Sequence, residues 1–276
     1  MFTYKELLQT ARIQLKEQNI AEADLDAWYL LSHVCSISRM DYLLKESNIV
    51  PEADCLYFMN LIKRRAKHIP LQYITGSQEF MGLEFKVSPD VLIPRQDTEV
   101  LTEEVLKCCK GKTVLDMCTG SGCIIISIAK LGEPLKAAGA DISEEALKIA
   151  AQNAVIHGVD IDFIVSDLFE QVTGSYDIIV SNPPYIRTGQ INELMPEVKN
   201  YEPFIALDGK EDGLHFYRCV IAALKAHLNS KGSILFEIGY DQGEAVRELL
   251  HRADFTDIVI KKDLSGLDRV VRAVKP

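Results

Sequence analysis

The chain reads as an α/β protein, a doubly wound sheet preceded by a small N-terminal helical domain and a β-hairpin linker, and three observations predict this. From about residue 96, apolar runs of strand length alternate with segments of helical period, as repeated βα units do. The run Thr113-Val114-Leu115-Asp116-Met117 passes through a glycine turn, Cys118-Thr119-Gly120-Ser121-Gly122-Cys123, straight into the helical pattern Ile124 to Ala129. Before residue 73 the apolar residues recur at spacings of three and four, with no clear strand.

In chain order, residues 1–73 form the expected helical bundle, with Leu8, Ala11 and Leu15 on one helix and Leu25, Trp28, Leu31 and Cys35 on the next. Within it the basic cluster Lys63-Arg64-Arg65-Ala66-Lys67-His68 reads as a solvated helix face. Residues 74–95 form the linker. Leu83, Phe85 and Val87 alternate with Glu84 and Lys86, the chain turns at Ser88-Pro89-Asp90, and it returns through Val91 and Ile93. Residues 96–276 form the sheet domain. Its second strand, Lys136 to Ala140, ends at Asp141 ahead of Ser143 and a helical stretch from Glu144 to His157. The third, Ile161 to Val165, runs into Asp167, and a further strand, Tyr176 to Ser181, runs into Asn182-Pro183-Pro184-Tyr185. Ser233 to Ile238, Thr256 to Lys262 and Leu267 to Val274 close the domain, the last two strands near enough to pair as an antiparallel hairpin.

Composition sets limits. A chain of 276 residues with 47% apolar content buries one large core and a second small one. Residues 1–73 carry nine Lys or Arg against nine Asp or Glu, so the formal charge of -10 falls on residues 74–276. An acidic domain grips phosphate backbones poorly, so direct nucleic-acid binding is not expected. Seven cysteines with no C-x-x-C spacing suggest reduced thiols in a cytoplasmic protein and no metal site. The longest apolar runs fall short of the ~18 residues of a membrane span, and Glu6 interrupts any signal-like start.

Four motifs fall at strand ends, on the carboxyl edge of one sheet, where open α/β sheets bind ligands. In the turn, Gly120 and Gly122 permit dihedrals and close approach that a Cβ forbids. The spacing is neither G-x-G-x-x-G nor a phosphate loop, which disfavours a pyrophosphate ligand. S-adenosylmethionine, an adenosine without phosphate whose sulfonium suits a loop flanked by Asp116, fits better. Cys118, Thr119 and Ser121 belong to the same loop. Asp141, about 20 residues on, is placed to accept both ribose hydroxyls, although it also precedes a helix that it could cap. Asp167 is placed to accept the adenine amino group while Leu168 covers the ring; singly, such an acid is also a common turn former. Asn182 and the Pro183 carbonyl offer acceptors for the N–H groups of a planar nitrogen, Tyr185 offers a face, and Pro183 and Pro184 stiffen the turn and remove competing donors. The bland alternative is a strand-end turn. Asn182 and the Asn182 to Tyr185 loop are therefore the candidate catalytic and substrate-binding residues. No strong base is needed, and the six histidines read as surface or core residues.

The order of these motifs resembles the class I, Rossmann-like methyltransferases. Further stretches narrow the resemblance to the HemK or PrmC family, which methylates a glutamine of class I peptide chain release factors. They are Pro70-Leu71-Gln72-Tyr73-Ile74-Thr75-Gly76, Leu92 to Arg95 with Thr98-Glu99, Tyr201-Glu202-Pro203, Ala206-Leu207-Asp208-Gly209, Glu237-Ile238-Gly239-Tyr240, and Lys262 to Gly266 with Asp268-Arg269. Two departures are Cys118 in place of the family's usual glycine and Gln96-Asp97 in place of Pro-Glu. The resemblance implies methyl transfer from S-adenosylmethionine to the glutamine N5 of a Gly-Gly-Gln motif, with the helical domain helping to hold the protein substrate. The rivals are an N6-adenine or N2-guanine methyltransferase on DNA or RNA, which the acidic domain disfavours, and a non-catalytic cofactor-binding scaffold, which the intact Asn182 to Tyr185 loop disfavours.

Overall fold

Thr3 begins the first helix by accepting a bond from the Glu6 backbone N–H while Glu6 reaches back to the Thr3 backbone, a reciprocal cap that satisfies otherwise orphaned donors. The computed structural model describes residues 2–276, so Met1, first residue of the expected 1–73 domain, lies outside it. The described residues divide into two units: 2–76 with Met195–Tyr201, and Ser77–Leu194 with Glu202–Pro276.

The first unit holds five helices of the N-terminal segment: α1 (Tyr4–Glu17), α2 (Ala23–Cys35), α3 (Arg39–Lys45), α4 (Glu52–Arg65) and α5 (Leu71–Thr75). They enclose a core of Leu7, Leu8, Ala11, Leu15, Trp28, Leu31, Phe58 and Ile62. Leu25, expected on the apolar face of α2, is exposed; Ala27 and Leu30 are buried there instead. Arg65 departs from the expected solvated face. It is buried, donating to Asp26 at 2.7 Å and to Glu197 at 2.9 Å, while His68 Nδ1 lies 3.1 Å from the same Glu197. Buried guanidinium needs carboxylates around it, and a run of basic letters does not reveal which member will find them.

In the second unit β1 (Ser77–Phe80) pairs antiparallel with β2 (Leu83–Lys86). The hairpin therefore lies one strand earlier than expected: β2 turns back at Met81-Gly82, both at positive φ, and does not return through Val91 and Ile93. Positive φ at both central residues matches the right-handed strand twist, whereas Pro89 and Pro94 cannot donate to a ladder. Val91 and Ile93 are buried in an extended loop leading to α6 (Gln96–Leu106).

The sheet follows: β3 (Thr113–Met117), α7 (Cys123–Gly132), β4 (Lys136–Asp141), α8 (Glu144–His157), β5 (Asp162–Val165) and β6 (Tyr176–Ser181). After α9 (Pro196–Tyr201), which belongs to the first unit, come α10 (Phe204–Leu207), α11 (His215–His227), β7 (Leu228–Glu237), α12 (Gly243–Arg252), β8 (Thr256–Lys262) and β9 (Asp268–Val274). The strand order is β5-β4-β3-β6-β7-β9-β8, parallel through β7 and antiparallel at β9 and β8. Successive residues feed opposite faces, as period two requires. On β6, Ile178 and Val180 enter one core with α6 and α7, and Ile179 enters the other with α11 and α12. Because the chain winds outward from β3 to β5 and then returns to β6 beside β3, a crevice opens at the carboxyl ends of β3 and β6. No helix of the described residues is long and apolar enough to cross a membrane.

Candidate active site

The glycine turn leaves β3 with Cys118 at φ 65° and closes at Gly122, φ 79°, which starts α7. Three of the bonds that hold it tie it to the strand ends. Thr119 Oγ1 donates to Asp116 Oδ2 at 2.6 Å, the Thr119 N–H donates to the Ala140 carbonyl of β4 at 3.0 Å, and the Gly120 N–H donates to Asp141 Oδ2 at 2.8 Å. A cavity of about 650 Å³ opens beside the turn, over the strand ends. Among its lining residues are Cys118, Thr119, Gly120, Ser121, Asp141, Asp167, Leu168, Asn182 and Pro184. Thus the four strand-end motifs converge on one space.

Four of the expected site residues do not line it. Asp116 is wholly buried behind the loop. Gly122 serves helix packing: a Cβ there meets Ile126 Cδ1 at 2.8 Å and the Ala150 Cβ of α8 at 3.1 Å, whereas a Cβ on Gly120 projects into open space. Pro183 is buried, and Tyr185 turns inward, its ring against the core shared with α11 and its hydroxyl 3.3 Å from Glu237 Oε1. Tyr185 is thus an anchor of the loop and offers no face to the cavity. Spacing places a residue near a site; which way its side chain points depends on distant packing.

The residues fit S-adenosylmethionine. The open space beyond Gly120 is a cradle that any side chain would fill, and the acids Asp141 and Asp167 line the cavity. Asp141 already accepts from the Gly120 N–H with one oxygen and from the Ser143 N–H at 2.9 Å with the other. Ser143, not Asp141, caps α8, accepting from the Ala146 N–H at 3.1 Å. Each carboxylate oxygen keeps a second lone pair for a hydroxyl. Asp141→Ala is expected to weaken S-adenosylmethionine binding ~10- to 100-fold, a charged hydrogen bond being worth about 1.5 to 3 kcal/mol. Calorimetry on the folded variant measures it, and an unchanged dissociation constant removes Asp141 from the site.

Burial pushes the Asp116 carboxyl up to about 7; the Thr119 bond opposes the rise and the nearby Asp141 charge adds to it. The folded value lies above the ordinary 3.8, so the native state holds a proton that the unfolded chain releases. That contribution is stabilising in acid and is lost as pH rises from about 4 to about 7. Asp116→Asn is therefore expected to raise the melting temperature of the ligand-free protein at pH 8, with a smaller gain at pH 5. Thermal unfolding at the two pH values checks it.

Behind Asn182 lies a layer to which the sequence assigned no role. Asn182 Nδ2 donates to Thr98 Oγ1 of α6 at 3.4 Å. Arg95, on the cavity wall, pairs with the buried Glu202. Gln242 Nε2 donates to the Tyr185 carbonyl at 3.0 Å. His215 also reaches the cavity, with Nε2 3.7 Å from Cys219 Sγ, rather than sitting on a plain helix surface. The stretches bearing Arg95, Thr98, Glu202 and Glu237 were visible in the resemblance, but nothing local to them pointed at Asn182.

Residues 6–76 match the family described as the PrmC N-terminal domain, and residues 95–198 match the methyltransferase small domain. A release factor glutamine methyltransferase of Geobacter sulfurreducens is 40% identical over 273 residues, 98% of this chain and 96% of its own. The chain belongs to the release factor glutamine methyltransferase family. A second member, from Clostridium acetobutylicum, is 40% identical over 281 residues, with 98% of each chain covered. Among solved structures, a ribosomal protein L11 methylase from Lactobacillus delbrueckii subsp. bulgaricus aligns with a TM-score of 0.50 at 25% identity, over 66% of this chain and 81% of that one. A Pyrococcus furiosus methyltransferase, at TM-score 0.57 and 16% identity over 77% and 98% of the two chains, shares the fold. The resemblance read from the motifs and the Rossmann-like sheet both stand. The family match extends through the helical segment, residues 6–76.

Proposed function

We propose that the cavity holds S-adenosylmethionine and that the enzyme methylates the side-chain amide nitrogen, N5, of the glutamine in the Gly-Gly-Gln motif of class I peptide chain release factors. The observation that carries this is Asn182. Its carboxamide lines the cavity at the sheet's switch point with its NH2 turned toward Thr98, which leaves Oδ1 for a ligand's N–H. Thr119, Gly120, Asp141, Asp167 and Leu168 are the residues that would hold the cofactor. When bound, it supplies an electrophilic methyl group on a positively charged sulfur.

The chain's own task is alignment and charge. Asn182 Oδ1, with the Pro183 carbonyl as the proposed second acceptor, takes hydrogen bonds from the planar nitrogen that strengthen as positive charge grows there, which favours the transition state over the ground state. The rigid Pro183-Pro184 turn keeps these acceptors oriented, and orientation in well-aligned intramolecular cases contributes ~7 to 11 kcal/mol. As the nitrogen becomes cationic its proton acidifies and leaves to water, so no residue need act as a strong base.

The helical unit is proposed to contact the release factor, and the enzyme is proposed to act in the cytoplasm, where such a substrate would be met. Because Met195–Tyr201 belongs with that unit, truncating residues 1–73 strips partners from a segment of the sheet domain's own chain. A parallel methyl-transfer assay offering a class I release factor, its Gly-Gly-Ala variant, duplex DNA and ribosomal RNA tests the reading. Methylation of the release factor alone, lost in the variant, is expected. Transfer to either nucleic acid in preference would restore the nucleobase reading, which the acidic sheet domain disfavours.

A further inference from the structure

The geometry points to Arg95 as the residue that receives the carboxylate of the cofactor's methionine tail, with the buried Glu202 holding its guanidinium in place. This rests on the reading of the cavity as the S-adenosylmethionine site. That ligand is an adenine, a ribose and an amino acid joined through a sulfonium. Asp167 and Asp141 serve the first two, and the amino acid carries the ligand's only anionic group. A carboxylate taken out of water needs a cation or several N–H donors. The cavity wall is short of cations: the acids Asp90, Asp141, Asp167 and Glu170 line it together with Arg95 and Lys210.

Position selects between the two. The methyl must stand at Asn182 for transfer, and only three carbons separate the sulfonium from the carboxylate, so the carboxylate stays near Asn182. Arg95 is there. The Thr98 N–H donates to the Arg95 carbonyl at 3.1 Å, and Thr98 Oγ1 accepts from Asn182 Nδ2 at 3.4 Å, so a single turn of α6 links Arg95 to Asn182. Lys210 is engaged elsewhere: it follows the Ile186–Asp208 bridge beyond Tyr185, and its Nζ and backbone N–H both donate to Asp208, at 3.0 and 3.1 Å. Arg95 is also held in a way that leaves it open to a second carboxylate. Its side chain is 40% exposed, that of Glu202 1%, and Nη2 donates to Glu202 Oε1. Glu202 Oε2 is buried with no hydrogen-bond partner, so Arg95 is the cation that this buried carboxylate requires. A guanidinium carries five N–H donors in a planar fork, and one edge can rest on Glu202 while another faces the cavity.

The test is calorimetry on the full chain with two ligands, S-adenosylhomocysteine and its decarboxylated analogue, which keeps the ammonium and lacks only the carboxylate. Thermal unfolding is run in parallel on wild type, Arg95→Gln and Arg95→Lys. Wild type is expected to bind S-adenosylhomocysteine ~10- to 100-fold more tightly than the analogue, as a charged hydrogen-bonded pair requires. Arg95→Gln is expected to lose that preference, to within about 3-fold, by weakening S-adenosylhomocysteine while the analogue's affinity hardly moves. Arg95→Lys, which keeps the charge and loses the fork, is expected to retain part of it. Equal weakening of both ligands in Arg95→Gln would overturn the proposal, because the loss would then lie in the adenosine pocket or the fold. An undiminished preference also overturns it, and joined to a raised KM for the release factor it assigns Arg95 to the protein substrate instead. Wild-type protein that binds neither ligand overturns the cofactor reading as well, a failure distinct from the others. Should Arg95→Gln fail to fold, the wild-type preference and its change in Arg95→Lys decide between these outcomes.

Discussion

Asn182→Ala is expected to lower the single-turnover rate of methyl transfer by ~10² to 10³ while cofactor affinity moves little, the cost of one preorganised polar group in a charge-stabilising site being ~2.7 to 4 kcal/mol. The sign of the charge differs from an oxyanion site, but the logic is the same: a fixed dipole meets charge that grows only in the transition state. Asn182→Asp is the sharper probe. A carboxylate still accepts N–H bonds and attracts positive charge, so the aspartate enzyme should exceed the alanine one. It should still fall below wild type, because it loses the Nδ2 donor that reaches Thr98. Alanine as fast as asparagine removes this residue from the mechanism.

Much of the sheet was legible because its signals are local. Tyr176 to Ser181 is a mostly buried strand and was bounded correctly, as was the helix Glu144 to His157. The glycine turn, Asp141, Asp167 and Asn182 were brought to one crevice because strand ends in a parallel sheet share an edge whatever the side chains do next. What failed depended on partners far along the chain. Arg65 is buried because Glu197, 132 residues on, meets it. Gly122 faces Ala150 of α8 rather than a ligand, and Tyr185 faces Glu237 of β7. The hairpin was misplaced for a local reason: Met81 adopts positive φ, which its letter does not advertise, so the turn at Met81-Gly82 yielded to the more conspicuous Ser88-Pro89-Asp90.

The stretch Ala206 to Gly209 has no chemistry of its own, yet Gly209→Ala is expected to be nearly as damaging as the loss of Asn182. Ile186 and Asp208 form an isolated parallel bridge, the Ile186 N–H donating to the Leu207 carbonyl at 3.0 Å and the Gly209 N–H to the Ile186 carbonyl at 2.8 Å. A Cβ on Gly209 would stand 2.7 Å from both Cα and C of Tyr185 and 2.9 Å from Cα of Gly213, all backbone atoms that no rotamer change can move aside. The loop must give way, and it is the loop that carries Asn182. A displacement of about 1 Å in aligned groups can cost ~10² in rate. Overpacking adds ~1 to 3 kcal/mol of destabilisation. Cofactor affinity should stay within a few-fold, since Gly209 does not line the cavity. Single-turnover transfer, calorimetry and thermal unfolding on one preparation separate the effects. A Gly209→Ala enzyme with wild-type rate and melting temperature would show that the Tyr185 backbone yields without consequence, and that the position of Asn182 is set from the Thr98 side alone.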